Sequence, residues 1–326
     1  MRLGIIGCGL IGRKRAAAAH ELGHEVVAVA DVARNRAKSL AAEFGAEAAP
    51  DWQEIARRPD LDAVAIATPH DGLSTIAIFC LDHGRHVLLE KPSARNHSEA
   101  MAVAEAAKRN ARLAKVGFNH RFHPAIAKAR RLTAGGALGP LYYIRGRYGH
   151  GGRIGYEQEW RCDRATSGGG ELIDQGSHLI DLARWFLGEL ALDYAALPTF
   201  FWNTEVEDNC FLALRSSSGA MAWLHASWTE WKNTFSFEIA GQDGKLTIDG
   251  LGGSYGTERL TFHKMLPKLG PPETTIWEYP FPDTSWEAEL QSFAVALDGN
   301  SAEIADIDDA CAVFEIIGAA YRRSKQ

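Results

Sequence analysis

Lys91 and the pair Asp174 and His178 are the side chains of this chain whose types and settings could carry out a reaction. Lys91 follows a short apolar run at residues 86–89 and precedes Pro92. Such a run predicts a buried strand, and open α/β sheets bind ligands at the carboxyl ends of their strands. Because the residue before a proline favours an extended backbone, the sequence predicts an ammonium group at a ligand-binding edge, where it could stabilise developing negative charge.

Asp174 and His178 lie four residues apart at the predicted start of a helix that Gly188 would end. Residues four apart on a helix share one face. A carboxylate beside an imidazole fixes its tautomer and stabilises its protonated form, so the pair could act as a general base. Two alternatives stay open: Asp174 could cap the helix while His178 packs in the core, or Asp181 could be the partner of the imidazole.

A glycine-rich turn follows the first predicted strand, at residues 2–6, and precedes a helix-like segment at about residues 11–22. The glycines permit a tight turn, close approach of a pyrophosphate to backbone amides, and close packing of the helix on the strand. The amino terminus of the helix adds unpaired N–H groups. These features predict a dinucleotide-binding turn that contains Gly7, Gly9, Leu10, Ile11 and Gly12.

Asp31 ends the second predicted strand, at residues 25–30, and lies 19 residues after Gly12. An acidic residue there can accept hydrogen bonds from the adenosine ribose hydroxyls and repels a 2′-phosphate. Asp31 therefore favours NAD as the cofactor. NADP stays open as the alternative, because Arg34 and Arg36 lie close enough in sequence to receive a phosphate. The simplest structural role of Asp31 would be in a turn or a helix cap.

Five motifs follow one another along the chain: Gly7-x-Gly9-x-x-Gly12, Thr68-Pro69, Glu90-Lys91-Pro92, Asn119-x-Arg121-x-x-Pro124, and Gly168-Gly169-Gly170 leading to Asp174-x-x-x-His178. Together and in this order they resemble the glucose-fructose oxidoreductase / inositol dehydrogenase / rhizopine catabolism (Gfo/Idh/MocA) family, over nearly the whole length of the chain. One departure is that family members often carry Thr-Pro-Asn-x-x-His, where this chain has His70 and Leu73.

The resemblance implies hydride exchange between a nicotinamide and a carbohydrate or polyol, either a sugar or a cyclitol. Lys91 matches the catalytic lysine of the family, and Asp174 and His178 match its acid/base pair. The resemblance also places further residues near the cofactor, namely Thr68, Pro69, His70, Glu90 and Asn119. A cofactor-binding sensor that has lost the chemistry is the alternative, although such a sensor needs none of the three catalytic residues.

Substrate contacts are expected early in the second half of the chain, beside Lys91, Asp174 and His178. Tyrosine and tryptophan can cover the face of a sugar, and arginine can bind hydroxyls, a carboxylate or a phosphate. The candidates are Arg121, Tyr148, Trp160 and Arg161. The many arginines favour an anionic substrate, such as a uronic acid or a nucleotide-linked sugar, unless they pair with nearby acidic residues. Asn119 and Arg121 could equally hold the domain junction together.

The order of predicted elements indicates two α/β domains. Strands and helices alternate through residues 1–120, which predicts a doubly wound parallel sheet of the Rossmann type. Residues 121–326 are richer in strands, and the resemblance implies an α/β domain with a large open, mainly antiparallel sheet. Trp223 and Trp231 would share one face of a long strand. An aromatic outer face suits self-association, so we expect a homodimer or homotetramer formed through this sheet.

Composition bounds the remaining classes of function. A chain of 326 residues predicts about two domains, and a net charge of −6 gives no reason to expect nucleic acid or membrane as a partner. The five cysteines are scattered without metal-ligand spacing, so we expect no metal site and a reducing, cytoplasmic location.

Overall fold

The computed structural model describes residues 1–324, which fold into two compact units. The first unit comprises Met1–Asn119, Ala165–Gly168 and Trp286–Phe314. The second comprises His120–Arg164, Gly169–Ser285 and the segment that begins at Glu315. The chain therefore returns to the first unit twice after leaving it.

Six parallel strands form the sheet of the first unit, in the spatial order β3-β2-β1-β4-β5-β6. The strands are β1 (Arg2–Ile6), β2 (Glu25–Ala30), β3 (Glu47–Ala48), β4 (Ala63–Ile66), β5 (His86–Glu90) and β6 (Ala114–Gly117). The intervening helices are α1 (Leu10–Glu21), α2 (Arg34–Phe44), α3 (Trp52–Arg57), α4 (His70–Asp82) and α5 (His97–Asn110). The central strands are apolar and buried, as strands covered on both faces must be. This sheet confirms the predicted Rossmann fold.

Helix starts in the first unit follow from local sequence. Asn96 caps α5 by accepting a hydrogen bond from the N–H of Glu99 at 3.0 Å. Helix α4 begins at His70, directly after Pro69. The first turn of α4 has no apolar periodicity that would mark its start. The fixed φ of Pro69, the residue before the helix, favours a helix start at this point.

Eight strands form the sheet of the second unit, in the order β14-β13-β12-β11-β7-β10-β9-β8. Only β7 and β10 pair in parallel, which confirms a mainly antiparallel sheet. The strands are β7 (Leu141–Gly149), β8 (Leu190–Ala196), β9 (Asn209–Ser216), β10 (Met221–Ser227), β11 (Thr234–Gly241), β12 (Gly244–Asp249), β13 (Glu258–Lys264) and β14 (Glu273–Tyr279). The remaining α-helices of residues 1–324 are α6 (Pro124–Ala134), α7 (Arg164–Ser167), α8 (Ser177–Leu187), α9 (Ser285–Leu297) and α10 (Ile307–Arg323).

The two faces of the second sheet differ in what covers them. Helices α6 and α8 pack on one face, where Leu179 of α8 approaches Gly146 of β7. On the opposite face, Trp223 and Tyr194 stack with ring centroids 6.4 Å apart, and both rings are about half exposed. The prediction that Trp231 shares this face with Trp223 was wrong, because β10 ends at Ser227 and Trp231 lies in the following loop.

Within residues 1–324, no helix combines the length and the apolar character needed to cross a bilayer.

Candidate active site

The glycine-rich turn between β1 and α1 has the geometry that a bound pyrophosphate requires. Gly7 has a φ of +94°, and a Cβ there would lie 2.4 Å from the carbonyl oxygen of Ala67. A Cβ at Gly12 would lie 1.8 Å from the carbonyl oxygen of Gly7. At Gly9, which caps α1 without a side-chain hydrogen bond, a Cβ would meet none of the described atoms within 4 Å. The fold itself requires glycine at positions 7 and 12, whereas Gly9 leaves space for an anion beside the N–H groups of α1.

Asp31 is held in one orientation at the carboxyl end of β2. Its two carboxylate oxygens accept hydrogen bonds from the N–H groups of Cys8 and Ala33, each at 2.7 Å. Each oxygen retains a second lone pair, which a ribose hydroxyl can use. Burial and the charge of Asp31 raise the pKa of the Cys8 thiol to about 12, so the thiol stays protonated. Val32, the next residue, exposes its whole apolar side chain.

The carboxyl ends of three neighbouring strands bring cofactor-site candidates together. The parallel register aligns the ends of β1, β4 and β5. The glycine-rich turn, Thr68-Pro69 and Lys91 therefore emerge from one edge of the first sheet, which is the edge where such sheets bind ligands. His70 begins α4 and is buried, and its Nδ1 lies 2.8 Å from the carbonyl oxygen of Ser167.

Glu90, which precedes Lys91, is joined to α1 by a buried arginine. Arg15 donates from Nε and Nη2 to Glu90 Oε1 at 2.8 and 2.6 Å, and from Nη1 to Glu289 Oε2 at 2.5 Å. Burial opposes the charge on this guanidinium, but the two carboxylates outweigh burial and raise the pKa of Arg15. Gly117 leaves room for the cluster, since a Cβ there would lie 2.6 Å from Arg15 Nη2. Sequence reasoning missed this cluster.

In the second unit, a short π-helix, Leu172–Gly176, carries Asp174 and runs directly into α8, which carries His178. The helix thus begins earlier than predicted, and its first turn is wider than an α-turn. Asp174 lies inside the helical segment and is not the residue that caps α8, so the capping alternative does not hold. Gly188 ends α8 with a φ of +79°, as the sequence predicted. Single π-turns within helices occur frequently at functional sites.

Arg161 lies against Asp174 in the second unit. Its Nε is 3.2 Å from Asp174 Oδ2, and its guanidinium carbon lies 4.6 Å from the ring centroid of Trp160. Burial opposes the charge on Arg161, but Asp174 outweighs it, and the pKa of Arg161 is raised. Burial lowers the pKa of the neighbouring His150, although the charge of Asp174 partly opposes this shift. Asp174 is therefore a buried carboxylate with a permanent cation beside it.

His178 is flanked by aromatic rings. The imidazoles of His178 and His120 stack with centroids 3.7 Å apart and 20° between their planes. Two imidazolium ions at that separation would repel by about 4 kcal/mol at an effective dielectric constant of about 20, so protonation of one ring disfavours protonation of the other. The ring centroids of Tyr148 and His178 lie 6.2 Å apart. Burial, together with Tyr255, raises the pKa of Tyr148 well above its usual value. His120 is a site residue that sequence reasoning missed, although it lies inside the Asn-x-Arg motif.

Arg121 forms a buried ion pair with Asp181 of α8. Its Nε and Nη2 donate to the two carboxylate oxygens at 2.9 and 2.5 Å, and its guanidinium carbon lies 5.5 Å from the ring centroid of Trp185. Bidentate pairs of this kind fix the orientation of both side chains. Asp181 therefore orients Arg121, and it stays the alternative partner of His178 that the sequence allows.

Two family models match the chain. Residues 1–118 match an oxidoreductase family with an NAD-binding Rossmann fold, and residues 126–247 match the GFO/IDH/MocA C-terminal domain. The fold, the glycine-rich turn and Asp31 define the class as an NAD-dependent oxidoreductase. The chain belongs to the GFO/IDH/MocA family, as its five sequence motifs indicated.

Similar proteins include two dehydrogenases. Levoglucosan dehydrogenase of Pseudarthrobacter phenanthrenivorans is 28% identical over 291 residues, which cover 76% of this chain and 73% of the relative. The scyllo-inositol 2-dehydrogenase (NAD(+)) of Bacillus subtilis is 28% identical over 261 residues, with the same coverage of both chains. A solved structure of levoglucosan dehydrogenase, in complex with NADH and levoglucosan, shares the fold with a TM-score of 0.91 at 24% identity, covering 100% of this chain and 97% of that one.

Proposed function

We propose that this chain is an NAD-dependent dehydrogenase of CH–OH groups that acts on a sugar, a sugar derivative or a cyclitol. The observation that carries the proposal is the presence of Lys91, Asp174 and His178 together in a chain of this family. Asp174 and His178 lie on one continuous helical segment, and Lys91 shares its sheet edge with the dinucleotide turn. The names of the relatives, levoglucosan and scyllo-inositol dehydrogenases, support a carbohydrate or polyol substrate.

The first unit would hold the cofactor, which supplies the hydride acceptor when bound. The N–H groups at the start of α1, around Leu10 and Ile11, would bind the pyrophosphate, with Gly9 leaving space for it. Asp31 would accept the ribose hydroxyls, which favours NAD over NADP. Thr68, Pro69 and His70 would line the cofactor from the end of β4, and Glu90 and Asn119 from the ends of β5 and β6.

His178 would be the general base of the oxidation. Its neutral imidazole takes the proton of the substrate hydroxyl while a hydride leaves the carbon that bears this hydroxyl, so that the alcohol becomes a carbonyl. Asp174 orients the imidazole and balances the charge that it gains, and Arg161 in turn fixes Asp174. A charge on the stacked His120 would oppose this step, because a second positive charge so close disfavours protonation of His178.

Lys91 would bind the reacting oxygen. Its ammonium group donates a hydrogen bond to the substrate hydroxyl and stabilises the negative charge that develops on that oxygen as the proton leaves. Substrate orientation would come from Trp160, Tyr148 and Arg161, with Arg121 contributing at the edge of the site. Because Arg161 already pairs with Asp174 and Glu159, it would donate to substrate hydroxyls, and its charge does not favour the carboxylate of a uronic acid or the phosphate of a nucleotide-linked sugar.

The test is turnover of purified protein with NAD or NADP and a panel of cyclitols, free sugars, uronic acids, glycosides and nucleotide-linked sugars, followed by the absorbance of the reduced nicotinamide. We expect turnover with one of these classes. We expect Lys91→Ala and His178→Ala each to lower kcat by about 100-fold or more, the usual scale for a proton-transfer group, with NAD affinity unchanged in His178→Ala. Tight NAD binding without turnover across the panel would favour the sensor. Near-normal kcat in either variant would remove that residue from the mechanism.

We also propose that copies of the chain associate through the uncovered face of the second sheet, as a homodimer or homotetramer. Tyr194, Phe200 and Trp223 leave large apolar surfaces exposed there, and a groove of about 880 Å³ runs between them. Exposed apolar patches of this kind usually mark interfaces. A reducing, cytoplasmic setting completes the proposal, because all five cysteines are buried, free thiols.

A further inference from the structure

Glu207 meets three consecutive N–H groups at the start of the helical segment that carries Asp174 and His178. Its Oε1 accepts hydrogen bonds from the N–H groups of Gly170 at 3.0 Å and Leu172 at 3.2 Å. Its own carbonyl oxygen accepts a hydrogen bond from the N–H between them, that of Glu171, at 2.9 Å. The first N–H groups of a helix have no partner within the helix. One buried residue, located 35 to 37 positions further along the chain than the three donors, satisfies them here.

A tyrosine from the last helix holds the carboxylate in place. The hydroxyl of Tyr321, on α10, donates to the same Oε1 of Glu207 at 2.6 Å. Burial raises the pKa of Glu207, while hydrogen bonds, from Tyr321 first and then from the backbone, oppose that rise. The hydrogen bonds from these donors therefore offset the free-energy cost of burying the carboxylate.

The glycines before the helix make room for these two side chains. A Cβ at Gly169 would lie 1.9 Å from the hydroxyl oxygen of Tyr321, and a Cβ at Gly170 would lie 2.0 Å from the carbonyl oxygen of Glu207. Neither position can carry a larger residue without displacing Glu207 or Tyr321, which together we call the clamp. The two glycines and the two clamping residues thus form one structural unit, although they are distant in the sequence.

We propose that Glu207, supported by Tyr321, is a positioning residue that holds the π-helix Leu172–Gly176 in its register and thereby aims Asp174. The role rests on the proposed function of Asp174 and His178. A π-turn contains one residue more than an α-turn, and each residue of an α-helix turns by about 100°. If the turn relaxed to an α-helix, Asp174 would rotate by about that angle relative to α8 and leave its 3.2 Å contact with Arg161. The helical segment would survive, but its carboxylate would no longer orient the base.

Three variants test this role. Glu207→Leu removes the acceptor, and Glu207→Gln keeps an acceptor oxygen in the same place. Tyr321→Phe removes only the supporting donor. With the best substrate from the panel, we expect kcat to fall by about 100-fold in Glu207→Leu, on the scale of a misplacement of about 1 Å. We expect a fall of about tenfold or less in Glu207→Gln and Tyr321→Phe. The Kd for NAD should stay within about twofold in all three, because the dinucleotide turn belongs to the first unit.

Asp208→Leu is the matched control. Asp208 is the next residue, is equally buried, and also accepts hydrogen bonds from backbone N–H groups, those of Phe200, Phe201 and Trp202. It caps a different loop, so its loss should lower Tm as Glu207→Leu does while kcat stays within about threefold of wild type. An equal fall in kcat for Asp208→Leu would overturn the proposal, because destabilisation alone would then explain the effect. A fall in kcat as large in Glu207→Gln as in Glu207→Leu would also overturn the proposal.

A readout without turnover separates this proposal from the proposed function. Amide hydrogen exchange over residues 170–176 should quicken by about tenfold or more in Tyr321→Phe, a variant that removes a single hydroxyl and leaves the core intact. Exchange in α1 should not change. If wild type turns over no substrate of the panel but residues 170–176 exchange faster in Tyr321→Phe, the dehydrogenase assignment fails and the clamp stands. If wild type turns over and exchange in that segment does not change, the clamp fails.

Discussion

Replacing Arg15 with methionine should destabilise the first unit far more than the same change at Arg13, although both arginines lie on α1 and both form short ion pairs. The side chain of Arg15 is 1% exposed and binds Glu90 and Glu289, whereas that of Arg13 is 51% exposed and binds Glu43 at 2.6 Å. Methionine matches only the aliphatic part of the arginine side chain, so Arg15→Met removes the guanidinium with its charge and leaves two carboxylates in the interior without their cation.

The expected loss follows from this difference in burial. Removing one partner of a buried ion pair costs about 3–5 kcal/mol, and breaking an exposed pair costs about 0–1 kcal/mol. Each kcal/mol lowers Tm by about 2–4 °C for a unit of this size. We therefore expect Tm to fall by about 6–20 °C in Arg15→Met and by at most about 4 °C in Arg13→Met. Thermal unfolding followed by circular dichroism at pH 7.5 measures both.

A third variant shows whether the loss in Tm comes from the unpaired buried carboxylates or from the lost packing of the guanidinium. Combining Arg15→Met with Glu90→Gln and Glu289→Gln leaves no buried carboxylate in the cluster, so it should recover much of the lost Tm. Equal losses in Arg13→Met and Arg15→Met would refute the reasoning from burial. A combined variant no more stable than Arg15→Met would show that packing of the guanidinium, and not its charge, stabilises the unit.

Three further predictions concern the cofactor, pH and association. Asp31→Ser should raise the ratio of kcat/KM with NADP to kcat/KM with NAD by about tenfold or more, equivalent to about 1.4 kcal/mol, because the carboxylate no longer repels a 2′-phosphate; an unchanged ratio would remove Asp31 from cofactor choice. Burial first, and then two nearby arginines, lower the pKa of His86, whose Nδ1 accepts the N–H of Leu113 at 3.0 Å. Stability from this group is therefore complete above its unfolded pKa of about 6.5 and is lost as pH falls through the lowered folded value. His86→Asn keeps the acceptor without titrating, so its Tm should fall less than that of wild type between pH 7.5 and 5.5, and an equal fall in both proteins would contradict this. Trp223→Glu should reduce the mass measured by light scattering after size exclusion, whereas Leu269→Glu, at an exposed apolar residue outside the sheet, should not; an unchanged mass for Trp223→Glu would place the interface elsewhere.

Local features of the fold were predictable because they depend on neighbours in the sequence. The strand at Arg2–Ile6, the glycine-rich turn and Asp31 form one short stretch whose spacing leaves few alternatives. The helix end at Gly188 was equally predictable, since it depends on one backbone angle that glycine adopts easily.

Long-range polar contacts could not be predicted, because they leave no periodic trace. Nothing in the composition of α1 distinguishes Arg15 from Arg13, and only the folded chain shows which one is buried. The stack of His120 on His178 and the clamp of Glu207 and Tyr321 likewise join elements separated by tens of residues. The π-turn was missed for a related reason: it depends on Glu207, whereas the sequence around Asp174 reads as an ordinary helix start.

Arg15 and Glu289 are 274 residues apart in the chain, and this distance has a consequence for protein synthesis. At about 5–20 residues per second, the second residue is made about 14–55 s after the first. Throughout that interval the nascent first unit lacks α9 and one of the two carboxylates that neutralise its buried arginine. The glycine-rich turn of the first unit is made before the second unit, but the first unit is complete only after α9 has been made. A nascent polypeptide stalled before Trp286 therefore presents an unfinished interior to chaperones and proteases, however long ago its glycine-rich turn was made.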